Sequence, residues 1–194
     1  MKQEIIDFLK DNIEPLDDEY YSAGYRVAAY LTDGTYLPCV VFRNLNAVEV
    51  ANKKLTKYRN DYKIKHYTKS LNGKYIRYSP RKNYVNDYCI AGVEKSKYAF
   101  PVSIVKQIQG ETRMGWTAFA AKMKDGRYFG FGTAGGKEFF HMPENYSVEE
   151  IDTIINHSWV SKTGELRSYA NFHDFDDSIC YEGRPSFECY LVDL

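Results

Sequence analysis

The stretch YRVAAYLTDGTYLPCVVF, residues 25–42, alternates apolar and polar side chains on either side of Asp33-Gly34. That pattern predicts a β-hairpin, because a two-residue mirror-image turn needs positive φ at both central positions and Asp-Gly tolerates it. Such a turn sets the pairing as Leu31 against Tyr36, Ala29 against Pro38 and Val27 against Val40. Pro38 has no N–H to give a ladder, so that part of the second strand is expected at an edge or a bulge. Residues 117–133, TAFAAKMKDGRYFGFGT, repeat the pattern around Asp125-Gly126. A shift of 92 residues superposes Ala28, Ala29, Asp33, Gly34 and Tyr36 on Ala120, Ala121, Asp125, Gly126 and Tyr128.

A second set of identities follows at a shift of 91. It superposes His66, Gly73, Tyr78, Cys89 and Gly92 on His157, Gly164, Tyr169, Cys180 and Gly183. The expectation is an α+β protein made by tandem duplication of a roughly 90-residue unit, about the size of a small domain. Each unit would hold an antiparallel hairpin, a capped helix and further short strands, and the two would pack with pseudo-twofold symmetry. The repeats are drawn as 1–94 and 95–194. The bridge Glu94–Tyr98 is short and charged, with no Pro/Gly/Ser linker, so one compact unit is expected.

The remaining elements are read outward from the hairpins. Ile5, Ile6, Leu9 and Ile13 stand at helical spacing in Gln3–Ile13, and Glu14-Pro15 ends that helix. Asn46 and Glu49 form a capping box ahead of a stripe Val48, Ala51, Leu55, Tyr58 and Tyr62. Strands are expected at Lys74–Ser79, Tyr84–Val93 and Phe100–Ile108. Ser147 and Glu150 form a second capping box, ahead of a helical stripe Val148, Ile151, Ile154 and Ile155. Gly24 and Gly115, just before the hairpins, serve a tight bend or a close approach.

Composition bounds the class. Hydrophobic residues make up 44% and charged residues 27%, which fits a soluble globular chain. No apolar run approaches the roughly 20 residues of a membrane span. The start MKQEIIDFLKDN places acids within its apolar stretch, unlike a signal peptide. Cys39, Cys89, Cys180 and Cys189 contain no C-x-x-C, so they are expected as reduced thiols in a cytoplasm. Cys89 and Cys180, in apolar strand contexts, read as buried small hydrophobes.

The net charge of zero hides a strong asymmetry. Residues 53–82 carry 11 Lys/Arg against 1 Asp/Glu, whereas residues 138–194 carry 3 against 12. The basic segment also holds Tyr58, Tyr62, Tyr67, Tyr75 and Tyr78. Cations interleaved with aromatic rings suit a phosphate backbone and unpaired bases. The candidate contacts are Lys57, Arg59, Lys63, Lys65, Lys69, Lys74, Arg77, Arg81 and Lys82. The competing readings are a solvated basic surface, and pairing with the acidic half within the chain or across a homo-oligomer.

The acidic half contains His173, Asp174, Asp176 and Asp177 in NFHDFDDS. An imidazole and three carboxylates so close in sequence have the chemistry of a Mg²⁺, Mn²⁺ or Zn²⁺ site, with His141 or Glu182 as further ligands. An acidic turn is the commoner meaning of such a run. His66 and His157 recur in both copies, each before a turn, which favours structure over catalysis. There is no P-loop, G-x-G-x-x-G, G-x-S-x-G or H-E-x-x-H. The glycine-rich stretch 129–136 lies near a strand end but lacks the Lys-Ser/Thr of a phosphate cradle, and it is expected as a closely packed strand followed by a turn.

The reading is a non-catalytic cytoplasmic binding or regulatory protein that holds nucleic acid or an acidic protein through residues 53–82. It needs no cofactor and no membrane. The alternatives are a small metal-dependent hydrolase centred on residues 173–177 and a self-complementary assembly protein.

Overall fold

The computed structural model describes residues 2–17, 23–47, 50, 82–169 and 178–194. They form a mixed α+β protein, mostly strand. Two compact units emerge: Met1–Lys95 with Ser186–Leu194, and Ser96–Pro185. The division after Lys95 lies one residue from the sequence boundary, but Ser186–Leu194 joins the first unit. No helix among the described residues is long and apolar enough to cross a membrane.

Unit 1 begins with α1, Lys2–Asn12. Its stripe Ile5, Ile6 and Leu9 is buried, and Asn12 Nδ2 donates to Phe8 O at 3.0 Å in the last turn. Next come β1, Gly24–Leu31, β2, Tyr36–Asn44, β3, Lys82–Tyr84, and β4, Ile90–Lys95. The late strand β11, Ser186–Leu191, completes the sheet in the order β3-β11-β2-β1-β4. β11 runs parallel to both β2 and β3. One face buries Val27, Ala29, Val40, Phe42, Cys189 and Leu191 in a common core with α1.

Unit 2 carries α2, Val102–Val105, then β5, Thr117–Met123, and β6, Tyr128–Thr133. It continues with β7, Ile151–Asn156, the small pair β8, Ser158–Val160, and β9, Leu166–Ser168, and finally β10, Cys180–Glu182. The sheet order is β10-β6-β5-β7, with β10 parallel to β6. Its core is aromatic. Phe119 stacks on Phe131 with centroids 5.4 Å apart, and Phe100 lies 4.9 Å from Phe140. The Gln107 side chain bonds to β7, its Oε1 accepting from Ile154 N–H at 3.2 Å. This occupies part of an edge that would otherwise invite pairing.

The two hairpin turns are alike, and neither is the mirror-image turn expected. Leu31 N–H donates to Thr35 O at 2.8 Å and Gly34 N–H to Leu31 O at 3.0 Å, closing a three-residue loop. Met123, Gly126 and Arg127 do the same at 2.8 and 2.9 Å. Only the glycines take positive φ, +86° at Gly34 and +90° at Gly126. The Asp stays out of the left-handed region because its carboxylate accepts the N–H two residues on, Thr35 at 2.9 Å and Arg127 at 3.0 Å. The longer loop moves the register, pairing Tyr30 with Tyr36 and Ala29 with Leu37. An irregularity opposite Pro38 then restores Val27 to Val40, as a missing N–H requires.

The third strands correct the sequence further. Val148, Ile151, Ile154 and Ile155 form no helical stripe: a 3-10 turn at Val148–Glu150 leads into β7. Its lead-in keeps the Ser147–Glu150 contact, with the Glu150 carboxylate accepting Ser147 N–H at 2.7 Å. β7 pairs with β5 through a register shift between Thr153 and Ile151. The extra residue, Asp152, puts Ile151 and Ile154 on one face, so a bulged strand mimics helical spacing. In unit 1 the expected strand Tyr84–Val93 is cut by a 3-10 turn at Asp87–Cys89 before β4, which carries the same shift between Gly92 and Ile90. Phe100–Ile108 holds α2 rather than a strand. Pro101 O accepts from Ile104 and Val105 at 2.9 and 3.0 Å, and buried Val102, Val105 and Ile108 follow at helical spacing.

Residues 45–47 are helical, but the cap is Asn44, whose Oδ1 accepts Ala47 N–H at 2.9 Å. Asn46 instead donates to Val192 O at 3.3 Å. The whole helical stripe from Val48 to Tyr62, His66 and the strand Lys74–Ser79 lie outside the described residues. His157 turns the corner from β7 to β8 with φ +52°. Gly24 is a close approach, where a Cβ would stand 2.7 Å from Val41 Cγ1, and Gly115 has φ +72°.

Topology also relocates the later identities. β4 and β7 hold the same place beside the first hairpin strand, at an offset of 61. Cys180, matched to Cys89 at 91, instead lies in β10, beside the second hairpin strand.

Candidate functional site

The basic candidates Lys57, Arg59, Lys63, Lys65, Lys69, Lys74, Arg77 and Arg81 lie outside the described residues. Lys82 opens β3, its backbone paired with Ser186 of β11. His173, Asp174, Asp176 and Asp177 also lie outside. The two further ligands suggested for a metal are described. His141 N–H donates to Glu182 O at 3.2 Å. Arg184 Nη1 stands 3.1 Å from both ring nitrogens of His141, and its guanidinium lies 4.0 Å from the centre of the Tyr98 ring. Burial, then the Arg184 charge, pull the His141 pKa down against the opposing pull of Glu182. The positive charge held against this imidazole repels a metal cation. Among the described residues no three His, Cys, Asp or Glu are grouped for a metal.

The structure brings together a different set of groups. On the face of the unit 1 sheet away from α1, β2 and β11 place Arg43 beside Glu188, with Nε to Oε1 3.4 Å apart. Arg43 is 2% exposed and Glu188 1%. The Tyr190 hydroxyl donates to Glu188 Oε2. Burial, reinforced by the Glu188 charge, drives the Tyr190 pKa far above its ordinary value. The Tyr84 ring from β3 lies 5.6 Å from that of Tyr190. Arg26 on β1 is also buried.

This network joins strands rather than supplying a nucleophile. Tyr190 stays a protonated donor at neutral pH, and Arg43 balances the carboxylate that accepts from it. Leaving either charge without its partner in the interior costs far more than the pair contributes. Burial disfavours two of the thiolates, pushing Cys180 up to about 11 and Cys189 up to about 12. All four cysteines are free, with Cys39 and Cys189 buried and Cys89 and Cys180 half-buried. The signal for the network was present as lone charges inside apolar strands, Arg43 in VVFRN and Glu188 in SFECYL.

No protein-family model matches the chain, and no curated protein or solved structure matches it either.

Proposed function

We propose that this is a non-catalytic binding or regulatory protein that contacts a polyanion, or an acidic protein partner, through its basic tyrosine-rich segment 53–82. One observation carries the reading. Past the irregularity at Pro38 the offset between the units is 91, and at the third strand it is 61, so the first connection is 30 residues longer. The basic segment lies within that longer connection, so its charge is an addition to a frame that unit 2 builds without it. The reading takes the halves as diverged copies of one unit with pseudo-twofold packing. The shared sheet order and turn geometry support the copies. Free thiols support a reducing, cytoplasmic setting.

The test is fluorescence polarisation with a labelled single-stranded oligonucleotide. If about five phosphates are contacted, affinity falls roughly a hundredfold between about 50 and 200 mM salt. Neutralising Lys57, Arg59, Lys63 and Lys65 together to Gln lowers both the affinity and the salt slope. An absence of binding at low salt, by the oligonucleotide and by an acidic peptide alike, overturns the reading.

A further inference from the structure

We propose that unit 2 binds a tetrahedral oxyanion, a phosphate or sulfate group, at the guanidinium of Arg184 beside His141 and Lys97. The observation behind it is a half-buried guanidinium set among rings, with no carboxylate on it. Its central carbon lies 4.0 Å from the centre of the Tyr98 ring, and Lys97 Nζ lies 5.2 Å from the same centre. Among the described residues no ion pair joins either cation to an acid. Two positive charges therefore share one ring and carry no counter-charge.

Backbone bonds set this geometry. Phe140 N–H donates to Tyr98 O at 3.0 Å, His141 N–H to Glu182 O at 3.2 Å, and Arg184 N–H to Phe139 O at 2.8 Å. Gly183, between Glu182 and Arg184, packs so closely that a Cβ would stand 2.7 Å from Thr133 Oγ1. The site thus rests on packed backbone rather than on swinging surface side chains. Stacking uses the flat face of a guanidinium and leaves its N–H groups directed outward in its plane. Nη1 stands 3.1 Å from both ring nitrogens of His141. An equal approach within the ring plane would run into Cε1, so Nη1 lies over the imidazole face. Nε is buried, which leaves the Nη1–Nη2 end to meet a ligand. That end and the imidazole edge do not share a plane, because the Tyr98 and His141 rings stand at 68°. Donors so arranged suit the tetrahedral oxygens of phosphate better than a flat carboxylate. Burial first, then Arg184, keep His141 neutral against the opposing pull of Glu182. Glu182 is the carboxylate that works against an anion here. The site does not rest on the binding assigned to residues 53–82.

Sulfate is the first probe, since its charge stays constant across the His141 titration, and the Hε1 NMR signal of His141 is the readout. At fixed ionic strength against chloride, sulfate should move that signal to saturation. It should also raise the midpoint of the His141 titration by about half a pH unit, the scale of one exposed ion pair. Phosphate should act as sulfate does, and acetate more weakly. Arg184→Gln should abolish the response, while Arg184→Lys keeps the charge and part of the response. Glu182→Gln should tighten sulfate by about twofold. The proposal is overturned if chloride moves His141 as far as sulfate does, if Arg184→Gln keeps the response, or if acetate binds as tightly as sulfate.

Discussion

Across the unit 1 sheet, one row of facing residues reads Arg26, Val41 and Glu188; the corresponding row of unit 2 reads Ala118, Gly132 and Glu182. Both rows end in a glutamate on a parallel strand. Glu188 is buried against Arg43, while Glu182 is exposed. The neighbouring row shows an exchange of size. In unit 1 the Arg43 guanidinium lies across Gly24, where a Cβ would stand 3.2 Å from Nη1. In unit 2, Trp116 holds the position matching Gly24 and lies across Gly132, where a Cβ would stand 2.2 Å from its ring. One frame therefore accepts a long cation or a broad indole on this face, provided a glycine lies beneath it. The lesson is that backbone order and side-chain chemistry vary separately. Strand pairing sets which positions face each other, and volume and charge then have only to balance locally.

The sharpest way to break this comparison is to remove both glutamates. Glu188→Ala leaves Arg43 buried without its carboxylate and should cost about 3–5 kcal/mol. Glu182→Ala, at an exposed position, should stay within about 0.5 kcal/mol. Urea unfolding followed by hydrogen exchange separates the two, since amides of β1 and β2 report unit 1 and those of β5 and β6 report unit 2. Equal effects would mean that the burial contrast has no energetic meaning.

A smaller effect is expected from Gly132→Ala. The added methyl displaces the Trp116 ring and should cost about 1–3 kcal/mol, as overpacking does. Both tryptophans of the chain, Trp116 and Trp159, belong to unit 2, so fluorescence follows this change directly. A second substitution, Trp116→Phe, should recover part of the loss if the clash is its cause.

The smallest effect is electrostatic and lies in the turns. The Asp33 carboxyl is held below its ordinary value by Thr35. Asp125 is held down first by the Tyr146 hydroxyl at 2.5 Å and then by Arg127 N–H. A depressed carboxyl contributes stability above its unfolded value of 3.8 and loses it as pH falls through the folded value. Stability should therefore be level near neutrality and decline below about pH 4. Asp125→Asn should flatten that acid decline in unit 2, as read by tryptophan fluorescence. An unchanged slope would sever the Tyr146 contact from turn stability.

The hairpins were legible because Asp-Gly carries a local backbone requirement. So was α1, whose apolar spacing and closing Glu14-Pro15 lie within one short stretch. The bulged third strand of unit 2 was not. Inserting Asp152 changes a period of two into the three-residue spacing of Ile151 and Ile154, and only pairing with β5 distinguishes that from a helix. The Arg43–Glu188 contact was illegible for another reason. Its partners are brought together by a parallel pairing across most of the chain, and nothing near either residue names the other. Identities at an offset of 91 likewise aligned Cys89 with Cys180 although their strands occupy different places. A sequence offset knows nothing of a connection that is 30 residues longer in unit 1.

The return of β11 to the first unit also fixes an order of events during synthesis. Unit 2 has all its strands before Ser186 leaves the ribosome, and it can close on its own local pairings. Unit 1, although translated first, lacks the strand between β2 and β3 until the whole of unit 2 has emerged. Its hairpin and α1 wait with a row of unpaired β2 backbone groups and without the Glu188 carboxylate. The half made earliest is therefore the half completed last, and its closure awaits the longest-range contact in its sheet.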